Sequence, residues 1–470
     1  MLFNSIPFLI LFIFTYSIYW LVNGVWKRYV LLISSILFYS YSSIALTAHF
    51  LLVVLINFYF AKKLLESGDN DKSSKFWIRI SVILNLLNLS IFKYFYFITG
   101  SIYTITGLSS IKEFSLSIQI ALPLAISFYT FQIIAYLVDI YRKKITKKVS
   151  VLDFLIFILF FPQLIAGPIM RSEEFLPSLD SPMIDWARME KGIYLILTGL
   201  LKKVVIADSI GGIINIVYPN VKEYSMLSLA LTSFGFISQV YCDFSGYTDM
   251  ARGLANLLGF ELPTNFRGPY ISKSFTEFWT RWHVTLSTWL RDYIYISLGG
   301  NRAGELRANT NMLITMTLGG LWHGANITYL IWGFYLGLIL FIERAFPKKE
   351  IVGVLQKILY PFQVFIVFSL FAISGIFFRS GMLGDKSLET SFQFLKGIFS
   401  LQSGKLIYRH EELISYIFLT LIFNYIEFRG GIFQEKRILR FVFLPFYAMI
   451  LLLLLGLFGD GGADFIYFQF

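Results

Sequence analysis

Residues 274–344 decide the fold of this chain. They read SFTEFWTRWHVTLSTWLRDYIYISLGGNRAG over residues 274–304 and MLITMTLGGLWHGANITYLIWGFYLGLILFIER over residues 312–344. His283 and His323, two of the four histidines in the chain, each stand among tryptophans and aliphatic residues. An imidazole in such surroundings costs free energy unless it finds polar partners. We therefore expect the two histidines to meet inside the folded chain and to carry its chemistry.

The composition of the 470 residues is that of a membrane protein. The chain is 56% hydrophobic and 19% aromatic, with a mean hydropathy of +0.67, whereas a soluble domain is roughly 45–50% apolar. Runs such as VFLPFYAMILLLLLGLFG approach the roughly 20 residues that cross a bilayer. We predict an all-α, polytopic integral membrane bundle of about 10–13 transmembrane helices, with additional re-entrant and amphipathic helices.

The apolar runs predict membrane spans at residues 2–22, 29–45, 47–64, 76–98, 117–140, 151–166, 311–341, 355–378, 411–426 and 440–458. Over residues 160–265 the runs are shorter and carry prolines, glycines and charged groups. Such backbone is tolerated at membrane depth where protein buries it or a wet cavity borders it, so we expect partial spans and re-entrant segments around a cavity. The connections are too short for a separate catalytic domain. We predict one integral domain over residues 1–470, with N-terminal spans at 1–116, a core at 117–345 and C-terminal spans at 346–470.

Charged residues indicate the orientation. Lys and Arg gather in the odd-numbered loops between the first six predicted spans, and the even-numbered loops hold only Lys112. By the positive-inside rule the odd loops are cytoplasmic and the N-terminus is extracytoplasmic. We therefore attribute the net charge of +11 to basic residues in cytoplasmic loops, and we expect membrane lipid, and no nucleic acid, as a binding partner.

The single Cys242 excludes an internal disulfide and a cysteine metal cluster. Since the histidines also lack ligand spacing, neither a metal site nor a permanently bound cofactor is predicted.

Residues 274–296 fit one amphipathic helix. On such a helix four large side chains share one face: Trp282, Leu286, Trp289 and Tyr293. His283 and Arg291 form a polar row beside this apolar face. Arg291 is a candidate supporting residue of the site. The pattern by itself favours an interfacial helix with a buried structural histidine, because aromatic belts are common in membrane proteins.

The sequence GGLWHGAN at residues 319–326 surrounds His323 with glycines. Glycine lets another helix or a substrate approach closely, and a histidine with its ordinary pKa near about 6.5 can act as a general base. Asn326, one turn further on, is placed to hold an imidazole nitrogen or to polarise a carbonyl group. A tight helix crossing with a hydrogen-bonded histidine explains the pattern equally well, and both interpretations stay open.

Two carboxylates, Asp243 and Asp249, flank a glycine in YCDFSGYTDMAR. No further acidic residues cluster with them in the sequence, which argues against a metal cage. We expect a supporting role, in which they orient a histidine or pair with Arg252 or Arg267.

Several motifs in order resemble the membrane-bound O-acyltransferase family, in the bacterial branch typified by the alginate O-acetylase AlgI, with peptidoglycan O-acetylases and teichoic acid D-alanyl transferases as relatives. The motifs are AYLVDIYR from Ala135, PQLIAGPIMR from Pro162, GLLKKVVIAD from Gly199, CDFSGYTDMA from Cys242, TEFWTRWHVTLSTWLRDYIYISLGGNR from Thr276 and GGLWHGAN from Gly319. The last two are highly specific, and the resemblance runs from about residue 122 to the C-terminus.

The resemblance implies a funnel-shaped helical bundle in the bacterial inner membrane. It implies that His323 is the family histidine at the constriction and that His283 is the second functional histidine. It also implies acetyl-CoA as the cytoplasmic acyl donor and a separate extracytoplasmic partner of the SGNH type, which places the acetyl ester on a polysaccharide.

The resulting hypothesis is an O-acyltransferase that passes an acetyl group across the membrane. His323 is the expected general base and His283 positions or shares the proton, while Asn326 or Trp322 donates to the thioester oxygen. Lys202, Lys203 and the pair at residues 147–148 are candidates for binding the phosphates of coenzyme A, and the simpler interpretation is that they are topology signals. Tyr467 is a candidate acyl relay, and the simpler interpretation is that it is an interfacial anchor. Alternatives are D-alanyl transfer to teichoic acid, a transporter or channel for an acylated carrier, and a secretion scaffold.

Overall fold

The structure, a computed structural model, describes Met1, residues 3–165, 167–302, 304–346 and 353–430, and scattered positions between 445 and 456. Within these residues every regular element is a helix, which confirms the all-α prediction. The chain sorts into two compact units, Met1–Ile193 with Ala251–Pro263 and Tyr194–Met250 with Thr264–Phe470. The single integral domain in three parts, and its funnel shape, stay predictions.

The first unit contains α1 (Ile6–Leu21), α2 (Val25–Ser40), α3 (Ile44–Ser67), α4 (Asp71–Leu89), α5 (Phe95–Thr106), α6 (Ser109–Ser117), α7 (Ile126–Tyr141), α8 (Val151–Leu159), α9 (Phe161–Leu164) and α10 (Ser172–Phe175). Two helices contribute residues to both units: α11 (Trp186–Leu200) and α13 (Met226–Leu257). The second unit also contains α12 (Asp208–Ile214), α14 (Phe275–Arg281), α15 (Val284–Trp289), α16 (Glu305–His323), α17 (Ile327–Ala345), α18 (Val354–Ser380), α19 (Ser387–Phe399) and α20 (His410–Phe428).

Among the described residues, four helical stretches are long and apolar enough to cross a membrane: Ile44–Ser67, Asp71–Thr106, Ile327–Ala345 and Val354–Phe399. Shorter apolar helices add Ile6–Leu21 and Ile126–Tyr141. These stretches support a multi-pass membrane protein, while the total of 10–13 spans stays a prediction. The predicted span at 440–458 is described only at scattered positions between 445 and 456.

Polar side chains join apolar helices inside the first unit. Asn57 on α3 and Asn85 on α4 each donate to the other's amide oxygen, at 3.1 and 2.6 Å. Thr15 on α1 donates to Ser34 on α2 at 2.8 Å. Such bonds hold helices together where lipid offers no competing partner.

The predicted span at 151–166 is wrong as one helix, because α8 ends at Leu159. Phe160 leaves the helical conformation with φ −48° and ψ 103°, and α9 begins directly after it. Pro162 has no N–H with which to continue the ladder of α8, and its ring would clash with the carbonyl one turn earlier. The prediction of short segments over residues 160–265 is therefore right at its start.

The same prediction is wrong over residues 226–257, which form the single unbroken helix α13. The glycines in this helix make room for neighbours instead of ending it. A Cβ atom on Gly235 would lie 2.9 Å from Leu413 Cδ1, and one on Gly246 would lie 2.7 Å from the carbonyl oxygen of Gly199. Close helix approach at glycine is a recurring way to pack helices in membranes.

The predicted span at 311–341 is likewise two helices, α16 and α17, joined by a short turn after His323. They pack antiparallel through glycine: a Cβ atom on Gly333 would lie 2.9 Å from the Cα of Gly320, and one on Gly337 would lie 3.1 Å from Met316 Cβ. The hairpin leaves His323 at its closed end.

We expect Gly333→Ala to destabilise the protein by about 1–3 kcal/mol, because the added methyl group must push the two hairpin helices apart. The thermal unfolding midpoint in detergent measures this effect. Gly212→Ala on α12 is the matched control: no atom lies within 4 Å of its added Cβ, so replacing a helical glycine there should raise stability by up to about 1 kcal/mol. An equal response of the two variants would contradict close packing of the hairpin.

Candidate active site

The segment predicted as one helix over residues 274–296 is broken at His283. α14 ends before it, His283 has the left-handed conformation with φ 41°, and α15 begins at Val284. The N–H groups of Val284 and Thr285 donate to the carbonyl oxygen and to Oδ1 of Asn265, at 3.0 and 3.2 Å. In a continuous helix both would donate to carbonyl groups four residues earlier. The predicted aromatic stripe of one helix is therefore wrong, because a partner distant in sequence takes these donors.

His283 is buried, with 1% of its surface exposed. Its Nδ1 lies 3.2 Å from Oδ1 of Asn265. The centroid of its ring is 4.6 Å from that of Phe244 and 6.4 Å from that of Phe266. The histidine thus has a polar partner in an otherwise aromatic setting.

His323 is the last residue of α16 and is also buried. Its ring packs edge-on against Trp332 and Phe378, with centroids 5.0 and 5.2 Å away. It borders a cavity of about 20 Å³, the size of one water molecule, whose other walls are Phe236, Ile237, Val240, Trp282, Trp332, Phe371, Gly375 and Phe378. His323 is the titratable residue in this wall.

Trp322 links the two histidines. Its ring centroid lies 4.8 Å from that of His323 and 6.4 Å from that of His283. The structure therefore brings together residues that are forty positions apart in sequence, and it places the side chain of Trp322 against both imidazoles.

Asn326 stands on the other side of the hairpin turn from His323, as the N-cap of α17. Its Oδ1 accepts hydrogen bonds from the N–H of Thr328 at 3.0 Å and from the hydroxyl of Ser387 at 3.1 Å. The expectation that Asn326 lies one turn along the same helix as His323 is wrong, because α16 ends at the histidine. The bonds of its Oδ1 support the cap.

Several of the remaining predicted site residues are exposed or fall outside the described residues. Arg291 is exposed, and its Nε donates to Asp292 at 2.8 Å. Tyr467 lies outside the described residues. Lys147 and Lys148 are exposed. In the described part of the chain, no group of three or more His, Cys, Asp or Glu side chains is placed to hold a metal ion.

Lys202 is the centre of a buried charged cluster. Its Nζ lies 2.8 Å from Asp249, 2.6 Å from Glu427 and 2.9 Å from the hydroxyl of Ser245. The lysine side chain is 1% exposed, and the two carboxylates are 13% and 19% exposed. Glu427, on α20, is a residue of this cluster that the sequence analysis missed.

Lys203 forms a second buried pair of ion contacts. Its Nζ lies 2.8 Å from Asp208 and 2.7 Å from Asp243. The suggestion that Lys202 and Lys203 attract coenzyme A phosphates is therefore wrong, since both charges are buried against carboxylates. Asp249 and Asp243 thus lie against Lys202 and Lys203, and their supporting role stays a prediction.

The comparison with protein families matches the MBOAT, membrane-bound O-acyltransferase family over residues 8–379. The chain is 36% identical over 407 residues to the probable alginate O-acetylase AlgI of Pseudomonas aeruginosa, covering 86% of this chain and 76% of that protein. It is 31% identical over 424 residues to a peptidoglycan O-acetyltransferase of Helicobacter pylori, covering 84% and 78%.

A teichoic acid D-alanyltransferase of Streptococcus thermophilus is a more distant relative. It is 30% identical over 267 residues, which is 53% of this chain and 60% of the relative. The family match spans more than three quarters of the chain and includes both histidines, Trp322 and the buried lysines. This chain belongs to the membrane-bound O-acyltransferase family.

Proposed function

We propose that this chain takes an acetyl group from acetyl-CoA on the cytoplasmic side and passes it across the bacterial inner membrane for O-acetylation of an exported or cell-envelope polysaccharide. The chain is a membrane O-acyltransferase by family, and the relatives named for alginate and peptidoglycan favour a polysaccharide acceptor. The observation that carries the proposal is the placement of His323 in the wall of an apolar cavity and beside Trp322, whose ring centroid also lies 6.4 Å from that of His283.

His323 acts as the general base in this proposal. Its imidazole takes the proton of the acceptor hydroxyl while that oxygen attacks the thioester carbonyl carbon. The carbon–sulfur bond then breaks, and the leaving thiolate of coenzyme A takes the proton back from the imidazolium. The indole of Trp322 lies against both histidines and is the better placed of the two proposed donors to the thioester oxygen, because the Nδ2 group of Asn326 already donates to the carbonyl oxygen of Gly384 at 3.4 Å.

The residues that line the cavity favour a short acyl group as the substrate. Apart from His323 they are aromatic, aliphatic or glycine, and a space of about 20 Å³ suits one small apolar group such as the methyl of an acetyl. A longer chain would have to displace aromatic rings that pack on one another, such as Trp332 and Phe378 with centroids 5.0 Å apart.

We expect Val240→Ala to relax the choice between acetyl-CoA and propionyl-CoA. Val240 lines the cavity, and its truncation makes room for one more methylene, a group worth on the order of tenfold in discrimination. The ratio of kcat/KM for the two thioesters should fall by that factor. Val205→Ala is the matched control, because Val205 is also buried but is not a wall of the cavity. An unchanged ratio in Val240→Ala would contradict the acyl-group assignment.

Purified protein in proteoliposomes with acetyl-CoA labelled in its acetyl group tests the function. Release of coenzyme A together with labelled ester on an external acceptor supports acetyl transfer. Movement of an intact acylated carrier without thioester cleavage supports a transporter, and use of a D-alanyl donor instead supports the teichoic acid reaction.

Two parts of the proposal concern the orientation of the chain in the membrane and its partner protein. The N-terminus faces outside the cell, and a separate SGNH-type protein outside the membrane places the ester on the polymer; both rest on the charge pattern and the family resemblance. Protease access to a tag at the N-terminus of intact spheroplasts tests the first. Loss of ester from the polymer when the partner is deleted, with coenzyme A release retained, tests the second.

A further inference from the structure

Asn265 holds the most densely bonded position beside the two histidines. It is 0% exposed, and its Oδ1 lies within hydrogen-bond distance of three groups: the Nδ1 of His283 at 3.2 Å, the N–H of Thr285 at 3.2 Å and the hydroxyl of Thr285 at 2.9 Å. The residue comes from the loop before α14, so it reaches His283 from outside the two short helices that flank this histidine.

These bonds decide which nitrogen of His283 carries the proton. A backbone N–H can only donate, so the amide atom that faces Thr285 must be the oxygen of Asn265. The same oxygen faces Nδ1 of His283, which must therefore donate. The proton of the neutral ring is then on Nδ1, and Nε2 keeps its lone pair. Among the described residues Nε2 has no hydrogen-bond partner.

Helix α20 holds the loop of Asn265 in place. The N–H of Gly268 donates to Glu427 at 3.1 Å, and the N–H of Tyr270 donates to Asn424 at 3.0 Å. Gly268 has a left-handed φ of 66°, and a Cβ atom there would lie 2.8 Å from the backbone nitrogen of Phe428. A side chain at this position would push the loop off the helix.

We infer that Asn265 is a positioning residue that fixes His283 as the Nδ1–H tautomer, so that Nε2 is the proton-accepting atom of this histidine. The inference rests on the proposed function for the role of the accepted proton, and the tautomer itself does not depend on it. In the proposed reaction His323 takes the proton of the acceptor hydroxyl, Nε2 of His283 shares that proton through a bridging hydroxyl or water, and Nδ1–H stays bonded to Asn265 throughout.

The charged groups near His283 leave the choice of tautomer to Asn265. Its ring is bordered by Phe244 and Trp322, which adjoin Asp243 and His323 in sequence. Asp243 is engaged by Lys203 at 2.7 Å. His323 packs against Trp322, Trp332 and Phe378, as described above.

Nuclear magnetic resonance of the histidine ring nitrogens tests the inference without an activity measurement. The chain has four histidines, so protein labelled with ¹⁵N only in histidine gives a small set of signals that His283→Gln assigns. We expect the His283 pair to show a protonated Nδ1 and an unprotonated Nε2 at neutral pH. Asn265→Ala should convert this signal to a mixture of tautomers or to the Nε2–H form. A protonated Nε2 in the unaltered protein, or an unchanged spectrum in Asn265→Ala, overturns the inference.

Kinetics give the second readout. Asn265→Ala should lower kcat on the order of 10- to 100-fold, the usual effect of losing a group that orients a reactive imidazole. Asn265→Asp keeps an oxygen acceptor for all three donors, so it should retain the tautomer. Its carboxylate favours the charged ring, so the acidic limb of the pH–kcat profile should move to higher pH.

Asn311→Ala is the matched control for loss of a buried asparagine. Asn311 is also 0% exposed, and its Nδ2 donates to the backbone carbonyls of Leu298 and Gly300 at 3.2 and 3.0 Å. This variant should lose stability while keeping the His283 spectrum and the pH profile. If Asn265→Ala and Asn311→Ala changed the same properties equally, Asn265 would be structural only. A confirmed tautomer in a protein that transfers no acyl group would instead refute the proposed function.

Discussion

His323→Ala should abolish acetyl transfer while the protein remains folded. A general base contributes about 10²- to 10⁴-fold to a rate, and His323 is the titratable side chain in the cavity wall. Loss of its ring also enlarges an apolar cavity, so some stability should be lost, but the aromatic wall formed by Trp332 and Phe378 remains in contact without it. The measurement is the initial rate of coenzyme A release in proteoliposomes, with thermal unfolding of the same sample.

His410→Ala is the control for His323→Ala. His410 begins α20, is partly buried, and lies 3.2 Å from the carbonyl oxygen of Ile407 through Nδ1, so its replacement removes an imidazole away from the cavity. We expect close to full activity in this variant. A His323→Ala protein that still released coenzyme A at the normal rate would contradict the base assignment. If neither His283→Ala nor His323→Ala had any effect on acetylation in cells, the alternative of a secretion scaffold would be favoured.

Lys202→Met should strongly destabilise the protein. It leaves Asp249 and Glu427 buried without their shared cation, a situation that costs on the order of 3–5 kcal/mol. Because Glu427 also accepts the N–H of Gly268, the disturbance should reach the loop that carries Asn265. Thermal unfolding in detergent measures the stability loss, and coenzyme A release measures the effect on the site.

A rescue experiment separates charge from packing in this cluster. Adding Asp249→Asn and Glu427→Gln to Lys202→Met removes the two uncompensated charges and should restore part of the lost stability. The control is Lys191→Met. Lys191 hydrogen-bonds the exposed Glu261 at 2.7 Å and holds the pKa of that carboxyl below its usual range, but exposed pairs are worth roughly 0–1 kcal/mol. Equal losses in Lys202→Met and Lys191→Met would contradict the buried-cluster assignment.

Hydropathy and local motifs were enough to predict the membrane fold and the residue most worth testing. Long apolar runs require helices in a bilayer, because every backbone polar group must be satisfied inside the segment. The glycines around His323 correctly predicted close packing, which the structure shows between Gly320 and Gly333. The sequence also carries a local signal for the hairpin turn: a glycine follows His323, and Asn326 stands at the position of an N-cap.

The broken helix at His283 had no local signal. Residues 274–296 satisfy the periodicity of one helix, and the break depends on Asn265, which lies in a different segment and takes the N–H of Thr285. Periodicity reports which face a helix would bury, but it does not report a competing hydrogen-bond partner from elsewhere in the chain.

By itself the sequence determined that the chain is helical, lies in a membrane and belongs with O-acyltransferases, because hydropathy, periodicity and motifs are properties of short segments. Only the tertiary structure decided the partners of the polar groups: Lys202 with Glu427 across 225 positions, His283 with Asn265 across 18, and both histidines with Trp322. The physical reason is that a buried polar group must find its partner wherever the fold supplies one, and that choice is made between segments.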